Sequence, residues 1–228
     1  MTAAASLAAG KPAPEHNVRG QSTRRDTQLA IGLLALAVIY ATLRYNVFKG
    51  VPWTDWPAYT FNKAIAVGSL LLLAAATFRL VRRRSSIAVL MSWSGALALA
   101  HSLLSFALFN PGYFPRLFED AKLTFLAGLS ITLGVGVMAV MELGARRSAG
   151  WTPALQSKAL AFIAFATGLH AALPALNSWI EPRAWPGGLP PLTLISFAIG
   201  LAALTAWKFR RKLRATSPTL LPKGPENV

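Results

Sequence analysis

The sequence predicts an all-α membrane protein, a bundle of six transmembrane helices with both termini in the cytoplasm. Two observations predict it. The 228-residue chain is 54% hydrophobic and only 14% charged, which is too apolar for an ordinary soluble domain. Its basic residues also collect in alternate connections. Arg79, Arg82, Arg83 and Arg84 follow the second apolar run. Arg146, Arg147 and Lys158 lie between the fourth and fifth runs. Lys11, Arg19, Arg24 and Arg25 precede the first, and Lys208, Arg210, Arg211, Lys212, Arg214 and Lys223 close the chain. These regions hold seventeen of the 23 basic residues, the positive-inside pattern. That distribution accounts for the net charge of +15 through topology and argues against a nucleic-acid partner.

Six runs have the roughly 20-residue length that a bilayer demands. They are Gln28–Tyr45, Lys63–Val81, Ile87–Phe109, Leu123–Leu143, Lys158–Leu176 and Leu189–Phe209. Residues 1–27, rich in Ala, Gly, Pro and charge, read as a disordered cytoplasmic tail. Residues 28–209 read as the membrane domain and 210–228 as a basic cytoplasmic tail. Thr23-Arg24-Arg25-Asp26 reads as the positive flank of an uncleaved first helix rather than an export signal. Tyr45, Trp53, Trp56, Tyr59, Tyr113, Trp179 and Trp185 fall on the opposite side, as an interfacial belt or the roof of a cofactor. Cysteine is absent, which excludes disulfides, thiolate catalysis, iron–sulfur clusters and covalently attached heme.

Two residues do not belong in hydrocarbon. His101 and His170 lie within the third and fifth runs, and an ionisable side chain there usually meets a partner, a cavity or a cofactor. Both runs cross from inside to outside. His101 is 14 residues beyond Ile87 and His170 is 12 beyond Lys158, roughly 21 and 18 Å along a helix. Two imidazoles at one depth on parallel helices suit the axial positions of one heme iron. The competing reading is two separate histidines, each bonded to backbone or hydroxyl groups. Zinc or copper fits less well, because no third ligand shares that depth. Small residues flank both rings (Gly95, Ala96, Ala98 and Ala100; Ala166, Thr167, Gly168, Ala171 and Ala172). They admit a flat guest or a neighbouring helix equally well. Gly128, Ser130, Thr132, Gly134 and Gly136 on the fourth run read as a packing face, with contact to a flavin as the alternative. Glu142, the one carboxylate within these six runs, falls at a cytoplasmic end. A proton-coupled transporter would normally carry one at mid-membrane.

The second half resembles a known family. Trp151, Leu155-Gln156-Ser157-Lys158, Gly168-Leu169-His170-Ala171-Ala172, Asn177-Ser178-Trp179-Ile180-Glu181 and Pro190-Pro191 resemble the STEAP-family metalloreductases, within the wider ferric-reductase-like transmembrane proteins. Asn62-Lys63 and Ala100-His101-Ser102-Leu103 match earlier elements of that family, and the resemblance spans about residues 60–208. It implies one b-type heme with His101 and His170 as axial ligands. It also implies FAD at the cytoplasmic side near Gln156, Ser157 and Lys158. Homotrimers are common in the family. The chain departs from the family pattern in having no NADPH-binding domain and no Gly-x-Gly-x-x-Gly motif. Ser85-Ser86-Ile87-Ala88 also stands where basic and amide residues are usual. The electron donor is then a separate reductase or reduced flavin, and the expected acceptors are Fe(III) or Cu(II) at the outer face of a bacterial inner membrane. Outer-loop Lys49, Lys63, Arg116 and Arg183 are candidates to meet heme carboxylates or an anionic chelate. Two alternatives are a non-enzymatic cytochrome b subunit serving a partner oxidoreductase, and a heme-free transporter or assembly protein.

Overall fold

A computed structural model describes residues 15–82, 87–147 and 150–210. Helical structure dominates, as it must where lipid offers backbone amides no partner. The helices are α1 (Glu15–Thr42), α2 (Phe61–Val81), α3 (Ala88–Ala107), α4 (Phe125–Arg147), α5 (Pro153–Ala172) and α6 (Leu192–Lys208). With their flanking turns, all six are long and apolar enough to cross a membrane. Most of the expected 1–27 and 210–228 tails, and Arg83 to Ser86, lie outside the described residues.

Two boundaries differ from the sequence reading. α1 begins at Glu15, so residues 15–27 continue the first helix instead of forming a loose tail. Asp26 is buried there, with Oδ1 2.6 Å from Arg79 Nη1 on α2. The fifth helix starts at Pro153, five residues before the apolar run. Proline occupies its first turn, and the Thr152 hydroxyl caps it by accepting from the Leu155 amide.

α2 is the most enclosed helix and packs against α1, α3, α5 and α6. Its contact with α3 is fixed by two serines that donate to each other's carbonyls, Ser69 Oγ to Ser94 O (2.8 Å) and Ser94 Oγ to Ser69 O (2.9 Å). α5 and α6 pack most closely of all. Ala164 and Gly168 on α5 face Ser196 and Gly200 on α6, a small-xxx-small pattern on both helices. A Cβ on Gly168 would stand 2.7 Å from Ser196 O, and one on Gly200 would stand 2.6 Å from Ala164 O. Gly168 therefore serves helix packing rather than a guest. α4 has α5 as its main partner, and α3 and α5 do not form a close-packed pair.

The end of the bundle remote from the arginine-rich connections is built from short turns. A π-helical turn, Leu43–Phe48, extends α1 and turns Arg44, Tyr45 and Asn46 inward together. Three consecutive inward residues suit the wider π turn, because a regular helix spreads them over about 200°. Asn46 donates to Val51 O and accepts from Thr60 Oγ1, which ties the connection to a second π turn, Trp56–Thr60. Tyr40 Oη donates to Pro190 O at 2.8 Å and Arg44 Nη1 to Leu189 O. Between α3 and α4 sits a two-residue hairpin, β1 (Phe118–Glu119) and β2 (Lys122–Leu123), with Asp120 and Ala121 at positive φ. The expected aromatic belt falls at this end. Trp56, Trp179 and Trp185 are each anchored by an indole hydrogen bond, while Trp53 is exposed.

Candidate functional site

His101 and His170 both lie toward the aromatic end. His101 is six residues before the end of α3, and His170 is two before the end of α5, where a 3-10 turn (Leu173–Ser178) carries on. Because α5 starts early, the rings are about 20 and 26 Å from the first residues of their helices. They remain close enough for a charge on one to act on the other.

Each imidazole is held through the same nitrogen. His170 Nδ1 is 2.7 Å from the carbonyl oxygen of Ser130 on α4. A carbonyl only accepts, so Nδ1 carries the hydrogen and Nε2 is left with its lone pair. Ser130 completes a clasp by donating its hydroxyl to His170 O at 2.8 Å. Ser130 is 3% exposed, so this clasp is shielded from competing solvent. The ring reaches a mid-helix carbonyl because residue 134, one turn further along α4, is glycine. A Cβ there would lie 2.9 Å from Cε1 and 3.0 Å from Nδ1 of His170.

His101 is fixed from α2. Its Nδ1 is 2.8 Å from Asn62 Oδ1. The amide is oriented by its other end, since Asn62 Nδ2 donates to Ser105 Oγ at 3.0 Å. Asn62 is 2% exposed. The oriented oxygen accepts from Nδ1, and Nε2 is again the nitrogen left free. Holding the tautomer from behind in this way is what a metal-ligating histidine requires.

These side chains fit an axial-ligand pair for a planar iron complex. The free donors are two imidazole nitrogens. Among the described residues no group of three or more His, Asp or Glu could hold a bare metal ion.

The partners Asn62, Ser105, Ser130 and Gly134 were not singled out as histidine partners from the sequence. Ser130 and Gly134 are four residues apart, the spacing of one helix face. That signal was present within the supposed packing face, whose other members go elsewhere. Thr132 is exposed and bonds Gly128 O, and Gly136 faces open space.

The three residues expected near a flavin form the first turns of α5. Ser157 is 1% exposed and donates to Ala154 O at 2.9 Å. Gln156 Nε2 donates to Trp151 O at 3.3 Å, and Lys158 is exposed. Glu142 is also exposed and pairs with Arg146 one turn away.

No protein-family model matches this sequence, and no curated protein matches it.

Proposed function

We propose that this chain is a membrane electron-transfer protein that holds one b-type heme between His101 and His170. The observation that carries the reading is the matched fixation of the two rings. Each Nδ1 is committed to a buried acceptor, so both Nε2 atoms are presented as donors. That arrangement is the one a pair of iron-ligating imidazoles requires. Six-coordinate heme iron exchanges single electrons with little change in ligation, and that is the chemistry the group would supply.

The chain's own contribution is positional. Asn62 and the Ser130 carbonyl keep each ring in one tautomer and one orientation, and each accepted hydrogen bond makes the opposite nitrogen a better donor. Gly134 keeps the path of the His170 ring clear. The basic end of the bundle faces the cytoplasm, where a flavin or a separate reductase would deliver electrons close to exposed Lys158. The aromatic end faces outward, where an acceptor such as an Fe(III) or Cu(II) complex would collect them. The resemblance to the STEAP-family membrane domain supports both assignments.

The test is an absorption spectrum of purified protein, oxidised and reduced, beside His101→Ala and His170→Ala. Low-spin bands should appear in the parent and be lost or become high-spin in each variant. Identical low-spin spectra in all three would remove the ligand assignment. Reduction of ferric chelates by the parent with reduced flavin then separates a reductase from a cytochrome subunit that serves only a protein partner.

A further inference from the structure

Lys63 follows Asn62 on α2, and its surroundings are unusual for a cation inside a membrane helix. Its Nζ lies 3.4 Å from the centroid of the Tyr59 ring, 5.5 Å from that of Tyr45 and 5.6 Å from that of Phe114. Tyr45 and Tyr59 meet edge to face at 5.5 Å. Two further cations stand at its rim. Lys49 Nζ is 5.8 and 5.9 Å from the same two tyrosine rings, and Arg116 is within electrostatic range of Lys63. Both rim residues are exposed, while Lys63 is not. No carboxylate lies within 4.0 Å of any of the three among the described residues.

Aromatic faces offset only part of the cost of taking an ammonium out of water. Three positive groups gathered without an acid repel one another, and a concave basic site concentrates anions. Lys63 directly follows Asn62, whose Oδ1 is 2.8 Å from His101 Nδ1, so an anion held by Lys63 would sit near the proposed ligand pair.

We propose that Lys63, caged by Tyr45, Tyr59 and Phe114 and rimmed by Lys49 and Arg116, is a carboxylate-binding site adjoining His101. Resting on the heme reading, its first source of carboxylate is the heme's own acidic side chains. The second source is a soluble carboxylate from the outer solution. Lys63 acts here as an anchoring cation and takes no part in ligating iron.

The experiment compares hemin with hemin dimethyl ester, which has the same iron and ring but no free carboxylate. Each is titrated by Soret absorbance into purified heme-free protein, for the parent, Lys63→Gln and Lys63→Arg. A parallel titration adds citrate alone and reads tyrosine and tryptophan fluorescence. If the heme supplies the anion, the parent binds hemin about tenfold or more tighter than the ester. Lys63→Gln abolishes that preference and Lys63→Arg keeps most of it. If the solution supplies the anion, hemin and ester bind alike, while citrate binds the parent and not Lys63→Gln. The site is overturned if Lys63→Gln changes neither the hemin preference nor citrate binding. Should Lys63→Gln fail to fold, exposed Arg116→Gln and Lys49→Gln together replace it, with a partial loss of the same preference expected. Failure to bind either tetrapyrrole would remove the heme reading, and the citrate arm would still decide the cage.

Discussion

Gly134→Ala is the sharpest test of how His170 is held. The new Cβ would stand 2.9 Å from Cε1, 3.0 Å from Nδ1 and 3.5 Å from Nε2 of the imidazole. Carbon contacts relax at about 3.5–4.0 Å, so the ring must retreat by at least about half an ångström. Retreat lengthens the 2.7 Å bond from Nδ1 to Ser130 O toward the limit of a useful hydrogen bond. Overpacking costs about 1–3 kcal/mol. A weakened hydrogen bond adds up to about 1 kcal/mol. Part of the total is recovered, because alanine suits a helix better than glycine by about 1 kcal/mol. The remainder, up to about 3 kcal/mol, corresponds to a loss of up to about 150-fold in hemin affinity where the strain is carried by the displaced ligating ring. The assay is a Soret titration of heme-free protein with hemin, with helicity checked by circular dichroism. Gly136→Ala is the matched control: same helix, same substitution, open space around the new methyl. The reasoning fails if Gly134→Ala binds hemin as the parent does, or if Gly136→Ala loses as much.

Asn62→Leu removes the acceptor for His101 Nδ1 while keeping the volume, and should weaken hemin binding roughly 10- to 100-fold, read by the same titration. Gly168→Val and Gly200→Val each drive a side chain into backbone that cannot yield, and should destabilise the α5–α6 pair by about 3 kcal/mol or more, measured as a lowered melting temperature in detergent. Asp26→Asn strips Arg79 of its counter-charge. Since the Arg79 side chain is 23% exposed, the expected loss is about 1–2 kcal/mol, below that of a fully buried pair, and it should shrink further in high salt.

The six spans were legible because two independent physical signals agreed: apolar length, and the side on which arginine and lysine collect. Helix starts were less so. Neither Glu15 to Asp26 nor Pro153 to Ser157 looks like lipid-facing sequence, yet a helix continues past the apolar boundary whenever its backbone bonds can propagate and a neighbour holds it. Arg79 does that for Asp26, and the Thr152 cap does it for α5. The histidines announced themselves by the cost of placing them in hydrocarbon. Their partners did not, because Asn62 and Ser130 are separated from them by 39 and 40 residues and meet them only once the helices pack. Glycine was ambiguous for the same reason. Gly134 clears a path for a ring, Gly168 admits a helix, and nothing local distinguishes them.

α4 has most of its packing on α5, and its outward side, including Phe125, Leu126, Leu129, Val135 and Val140, is open to lipid. As the chain is made, α4 is therefore in the membrane before the helix that holds it exists. Ser130 waits for His170, and the clasp closes only when the fifth helix has followed. The His101 half of the pair, with Asn62 already beside it on α2, is complete well before then. On the proposed heme reading, a guest arriving early would find one ligand and the second would reach it from a later part of the chain, which would put loading near the end of biogenesis.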